Sequence, residues 1–393
     1  MRWVILDSCP QIPEMIFRLG LTEGVVCPRV RVLALRANFH NLPFYRFLIS
    51  PKLTSLTLAY SSFPPKSMEE ELSIIQPVIM GLETFPLQRL NLKLDIPGAS
   101  GQMEPVISSA VLRSGPALKD LFINSPLSDA AVQHIMQLPN LDAWATANGP
   151  PRTPNLSPSN IFPRLHDLSL ASEASLEWLT LFTKTTRRIP SGHNSYASPN
   201  RGPVQRLTRL VVHPRVPIDA VFMTPIMLFR ELIFLSLTPT CSPSPTATAI
   251  CTFSLTDGDV AEIAAALPRL QEARFGIACR ANSCKTTVAS LISFSTSCRN
   301  LKYLMIHVNT TNLRNDLESV STDSRLDSLP SLRTRNNFCL FVSGAPFTIS
   351  EDEVAPMLKG FRRIFPSLTQ INWADAPWKE LNIKLQELVD QER

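Results

Sequence analysis

The sequence predicts an α/β solenoid: a curved parallel sheet on the concave face, with helices and loops on the convex face. Three observations predict it. A nine-residue phrase returns along the whole chain, as FPRLHDLSL (Phe162–Leu170), LPRLQEARF (Leu267–Phe275) and FPSLTQINW (Phe365–Trp373). Between copies, apolar residues often recur at helical rather than strand spacing. Proline outnumbers glycine by 34 to 13, and many of the prolines stand at one fixed place in the phrase.

Aligned on the leucine after the proline, the pattern is Φ-P-x-L-x-x-L-x-L, where Φ is usually apolar. It recurs as CPRVRVLAL from Cys27, SPKLTSLTL from Ser50, GPALKDLFI from Gly115 and LPNLDAWAT from Leu138. Versions without the proline begin at Val204, Phe229 and Cys298. The anchors are Val30, Leu53, Leu87, Leu118, Leu141, Leu165, Leu207, Leu232, Leu270, Leu301 and Leu368, spaced by 23 to 42 residues up to Leu301. The final gap of 67 predicts a weak unit near Leu332. An L-x-x-L-x-L core at roughly 20–29 residues per unit is the signature of leucine-rich repeats. Alternation at L-x-L turns two side chains to one side of a short strand. One such strand cannot bury that side alone, so it stacks on neighbours into a parallel sheet. Proline ahead of the strand lacks an N–H that no ladder bond needs.

Each element follows in order. Met1–Leu6 already fits L-x-x-L-x-L, so the chain is expected to begin inside a repeat, with Ile12–Ile16 in the helix before the second strand. Lys66–Leu82 opens with Ser67-x-x-Glu70, and Ser350-x-x-Glu353 opens another helix; both fit a capping box. Ser128–Leu138 and Thr256–Leu267 carry apolar residues at helical spacing. The stretches 149–160, 185–203 and 238–248 are rich in Pro, Ser and Thr and read as surface insertions. Residues 308–337 are polar without periodicity and are expected to be poorly ordered. Residues 377–393 predict an amphipathic capping helix with Leu381, Leu385 and Leu388 on its apolar face and Trp373 and Trp378 packed nearby. Together these make residues 1–393 a single solenoid.

Composition excludes several functions. With 44 % apolar and 18 % charged residues the chain belongs to the folded class. A net charge of +5 without a dense Lys/Arg block does not describe a nucleic-acid binder. No run approaches the ~18 apolar residues of a membrane span. Eight scattered cysteines and no leader-like start indicate a reducing, intracellular setting, cytoplasm or nucleus.

Chemistry-bearing motifs are absent from the sequence: there is no GxxxxGKS/T, GxGxxG, GxSxG or HExxH. The metal candidate is Cys279, Cys284 and Cys298, with His307 beyond. Its ligand types suit zinc. The repeat register opposes that reading, because Cys298 fills the Φ slot taken by Phe162, Leu267 and Phe365, where a thiol acts as a small hydrophobe. Asp257 and Asp259 open a helix, where carboxylates favour the dipole. No metal and no cofactor are expected, and a hydrolytic or metal-dependent enzyme is the remote alternative.

The residues LTDGDVAEIAAALPRLQEARFG (Leu255–Gly276) and SCRNLKYLMIHV (Ser297–Val308) resemble the repeats of F-box/leucine-rich-repeat proteins, particularly the expanded fungal families. That resemblance implies a substrate receptor of an SCF ubiquitin ligase. An F-box would bind the Skp1 adaptor and its cullin, and the repeats would hold the substrate. Ile12–Ile16 superficially fits an F-box opening, but the next repeat starts at Cys27 and leaves no room for a three-helix module. Skp1 and cullin are therefore partners only if an F-box lies upstream. The alternative is a free-standing repeat protein.

In either case the expected role is a non-enzymatic interaction scaffold. Strand residues two, four and six beyond each anchor should line the concave face, the usual binding surface of a solenoid. Those positions give Arg209, Val211 and His213 beside Phe234, Ser236 and Thr238, then Glu272, Arg274 and Gly276, then Tyr303, Met305 and His307. Of these, Arg209, His213, Phe234, Glu272, Arg274, Tyr303, Met305 and His307 are the candidate protein-binding residues, since aromatics and arginine dominate hot spots. Earlier units are blander (Ser55, Thr57, Ala59; Ala143, Ala145, Ala147). Purified protein should carry no stoichiometric zinc. About one zinc per chain by elemental analysis, lost in Cys284→Ser, would contradict the cysteine assignment.

Overall fold

A turn and a carbonyl repeat with the sequence phrase. In the computed structural model, the Φ carbonyl accepts the anchor N–H three residues on: Leu53 N to Ser50 O at 2.9 Å, Leu165 N to Phe162 O at 3.3 Å, Leu270 N to Leu267 O at 3.3 Å. Proline is the second residue of that turn, where its fixed φ fits and its missing N–H costs nothing. Next, the carbonyl after eight of the eleven anchors accepts two N–H groups from the following unit. Thr54 and Ser55 both donate to Arg31 O at 2.9 and 3.0 Å, and Gln271 and Glu272 to Ile233 O at 2.8 and 3.1 Å. This bond sets the register of every strand that follows it.

The structure describes residues 3–6, 29–38, 40, 42, 48, 50–61, 67–96, 100–147, 161–171, 174–187, 206–214, 216–238, 253–275, 284–309, 311–322, 338–343, 350–372 and 377–391. They group into two compact units, Met1–Arg206 and Leu207–Arg393. The boundary falls in the 42-residue gap between Leu165 and Leu207, the longest before the final one.

In the first unit the strands are β1 (Trp3–Leu6), β2 (Val32–Ala37), β3 (Ser55–Ser61), β4 (Arg89–Asp95), β5 (Asp120–Ile123), β6 (Ala143–Thr146) and β7 (Asp167–Leu170). Each pairs in parallel with the next. The helices between them are α1 (Met68–Gly81), α2 (Ser100–Leu112), α3 (Asp129–Gln137) and, after β7, α4 (Ser175–Arg187). The second unit repeats the plan with β8 (Arg209–Val212), β9 (Phe234–Leu237), β10 (Glu272–Phe275), β11 (Tyr303–His307), β12 (Phe338–Ser343) and β13 (Leu368–Asn372), again parallel and in chain order. Its helices are α5 (Ala220–Ile226), α6 (Asp257–Ala266), α7 (Val288–Ser297), α8 (Leu313–Thr322), α9 (Glu351–Ile364) and α10 (Pro377–Gln391). Sequential parallel strands joined by helices that pack on their neighbours make a solenoid-like α/β fold.

The core lies between sheet and helices. All eleven anchors are buried, together with alternate strand residues such as Leu56 and Leu58, Leu235 and Leu237, and Ala273 and Phe275. Each such side chain contributes roughly 1.5–3 kcal/mol of transfer free energy. The capping boxes form as the sequence predicts, with Ser67 and Glu70 opening α1 and Ser350 and Glu353 opening α9. A third is made by Thr256 and Asp259 at α6, so Asp259 caps a helix.

Three expectations need correction. The polar stretch 308–337 is not without structure: Leu313–Thr322 is helix α8, because Leu313, Leu317 and Val320 recur at helical spacing and are buried. The strand of the weak unit starts at Phe338, six residues beyond Leu332, with Cys339 opposite Tyr303. In α10, Leu381 and Leu385 are buried as expected, but Val389 completes the stripe and Leu388 is 37 % exposed. Ile12–Ile16, the insertions 149–160, 188–203 and 239–248, Trp373, and the side chain of Trp378 lie outside the described residues. Among the described residues no helix is long and apolar enough to cross a membrane.

Helices α8 and α9 approach closely at Gly360. A Cβ on Gly360 would lie 2.8 Å from Leu317 O and 2.9 Å from Leu317 Cβ, whereas one on Gly81 in α1 would meet nothing within 4 Å. Gly360→Ala should therefore lose about 1–3 kcal/mol through overpacking, and Gly81→Ala should be neutral or gain up to about 1 kcal/mol. Urea denaturation checks both. Equal effects at the two sites would contradict the packing described.

Candidate protein-binding face

Strand residues that alternate with the buried ones turn away from the helices onto an open face. In the second unit the register sets Arg209, Phe234, Glu272, Tyr303, Cys339 and Gln370 in one row. The next row runs Val211, Ser236, Arg274, Met305 and Phe341. Five of the sequence-derived candidates thus come together: Arg209, Phe234, Glu272, Arg274 and Tyr303.

Their contacts are specific. The Arg209 guanidinium lies 3.7 Å from the centroid of the Phe234 ring. The Arg274 guanidinium lies 5.4 Å from the same ring and 5.2 Å from that of Tyr303. Arg274 Nε donates to Glu272 Oε1 at 2.6 Å, two residues back on the same strand and hence on the same face. Phe234 is only 9 % exposed, while the side chains of Arg274 and Glu272 are 39 % and 30 % exposed. The buried Phe234 ring thus lies beneath two guanidinium groups. Each cation–π pair contributes about 0.5–1 kcal/mol at a wet site, more when covered.

Two titrating groups border the row. Burial pushes the Tyr303 phenol up, and the neighbouring Arg274 charge opposes part of that effect, so Tyr303 is a protonated donor at neutral pH. Burial alone lowers the half-buried His213, leaving its imidazole uncharged at pH 7.

Phe234, Met305 and His307 do not fit the expected exposure. They are 9 %, 8 % and 1 % exposed, so they underlie the face rather than offer open contacts. His307 ends β11 beside Thr286 and Cys284; the Thr286 hydroxyl and, at 3.3 Å, the Cys284 thiol donate to its carbonyl. Period-two counting identifies which side a residue takes, not whether another segment covers it. Gly276 lies outside the described residues.

Counting along the later units alone also missed residues. Cys339, Phe341 and Gln370 extend the two rows, and on the open face of the first unit Arg89 and Lys93 of β4 meet Asp120 and Phe122 of β5. Arg89 Nε is 2.5 Å from Asp120 Oδ2, and Lys93 Nζ lies 5.3 Å from the Phe122 centroid. The signal was present, since Leu87 and Leu118 are anchors and these are their second, fourth and sixth positions. Ser55, Thr57, Ala59, Ala143 and Ala145 do form small-residue stretches beside them.

No protein-family model and no curated protein matches this chain. Of the described cysteines Cys298 fills an apolar slot, whereas the Cys284 thiol donates to the His307 carbonyl. Cys298 is fully buried, its Sγ lies 3.6 and 3.5 Å from the carbonyl oxygens of Ala264 and Leu267, and burial pushes its thiol up to about 12. Its own carbonyl accepts from Leu301 N, as the Φ slot requires. Cys279 lies outside the described residues. Among the described residues no three His, Cys, Asp or Glu side chains gather where a metal could sit.

Proposed function

We propose that this chain is a leucine-rich-repeat solenoid that binds a protein partner on the open strand face of its second unit, without catalysing a reaction. The observation that carries the reading is the cation–π row of Arg209, Phe234, Arg274 and Tyr303. Arginine and aromatic residues are the side chains that dominate interface energetics, most of all when clustered and rigid. Extended sheets of alternating side chains are the surfaces on which solenoids bind. The recurring L-x-x-L-x-L phrase, with a parallel strand at each copy the structure describes, supports the repeat class.

The resemblance of Leu255–Gly276 and Ser297–Val308 to F-box/leucine-rich-repeat proteins supports a narrower reading, in which the partner is a substrate presented for ubiquitin transfer. The ligase link then rests on an F-box upstream of this sequence. The partner is expected inside the cell, in cytoplasm or nucleus, as the cysteine usage suggests.

The test is partner capture from source lysate by the purified chain, followed by affinity measurement on the reconstituted complex. Arg274→Ala combined with Tyr303→Ala should weaken binding by about 2 kcal/mol or more, near thirtyfold. The fold should survive, because neither residue contributes to the helix-side core. Normal binding by this variant, together with loss of binding on changing Ser55 or Ala145, would place the surface elsewhere.

A further inference from the structure

The residues on either side of a buried anchor do not follow it into the core, because successive side chains along an extended chain alternate in direction. In the first unit, at the edge of the sheet where the strands begin, these positions are repeatedly cationic. Arg29 and Arg31 flank Val30, Lys52 precedes Leu53, Lys119 follows Leu118, and Arg89 stands two beyond Leu87. All five are exposed. The backbone aligns them, since Arg31 O accepts from Thr54 and Ser55, Thr54 O from Gln88 and Arg89, and Gln88 O from Lys119 and Asp120. Four successive strands, β2 to β5, at about 4.7–4.9 Å each thus gather the five cations along an edge of about 15 Å.

Only Arg89 is matched there, by Asp120. Among the described residues Arg29, Arg31, Lys52 and Lys119 have no ion pair and no side-chain hydrogen bond. Like charges gathered this way repel one another and bring no core contact. Other units place Asn140, Thr208 and Gln271 at the same positions, so the fold does not require cations there.

Charge and length decide the class of partner. The ladder stops where Asp142 follows the next anchor and Asp167 opens β7, so a nucleic-acid backbone continuing along the edge would run into carboxylates. The residues flanking the anchors of β2 to β5 include no aromatic ring on which a base could stack. A single small anion would leave most of the ladder unused. An acidic polypeptide fits better. Ten helical residues span about 15 Å, and their carboxylates can return every turn of about 5.4 Å, close to the strand spacing.

We propose that this edge of the first unit binds an acidic segment of a protein partner, its carboxylates laid across β2 to β5 on Arg29, Arg31, Lys52 and Lys119. The surface lies apart from the strand face of the second unit, and its occupancy does not depend on the reading of that face.

A fluorescein-labelled peptide of ten glutamates serves as the probe, titrated with the full chain by fluorescence anisotropy at low salt. Saturable binding is expected, weakening steeply as salt is raised, because the contacts are exposed and screened. Arg31→Glu combined with Lys52→Glu should weaken it at least tenfold with circular dichroism unchanged. Arg299→Glu combined with Lys302→Glu, exposed residues of the second unit that change the net charge equally, should leave it within twofold. Absence of saturable binding overturns the proposal, as does an effect of the second double variant as large as that of the first. Tighter binding of a thymidylate decamer than of the glutamate peptide also overturns it and assigns the ladder to nucleic acid.

Discussion

The carbonyl that follows an anchor residue, shared by two N–H groups of the next unit at eight of the eleven anchors, is the bond on which the rest of the structure depends. A single bond of this kind contributes only about 0.5–1.5 kcal/mol net. Its importance is geometric. It fixes where the next strand starts, and so which residues face the helices. A slip of one residue would turn every leucine of that strand to solvent and every polar neighbour into the core. The Φ-P-x-L turn ahead of it delivers the chain at the right point, and the buried anchors hold it there. Register and burial therefore enforce one another, strand by strand, through nearest-neighbour contacts alone.

The open face is the by-product of that constraint. Because the helix side consumes every second strand residue, the other half of a strand can vary without cost to that core wherever no other segment covers it, as Phe234, Ser236, Met305 and His307 are covered. Residues from β8 to β11 that are far apart in sequence become neighbours in rows. That is how Arg209 meets Phe234 across 25 positions and Arg274 meets both Phe234 and Tyr303.

What the sequence disclosed, and what it did not, follows the same physics. Anchors, turns and capping boxes were legible because each depends on residues within a few positions of one another, as in Ser67 with Glu70. Strand parity was legible too, so five candidate face residues could be named and are neighbours. Exposure was not, since His307 has the right parity but lies buried at the end of β11. Helix α8 was missed because its apolar residues Leu313, Leu317 and Val320 are few among polar ones, and packing against α7 and α9 decides its order.

Site-specific photocrosslinking tests the central claim most directly: that the rows of β8 to β11 form the partner-binding face. Benzoylphenylalanine placed at Glu272 or Val211 should crosslink the bound partner, and placed at Thr57 on β3 or Ile292 on the helix layer should not. Crosslinks from Ile292 or Thr57, with none from Glu272 or Val211, would contradict the account.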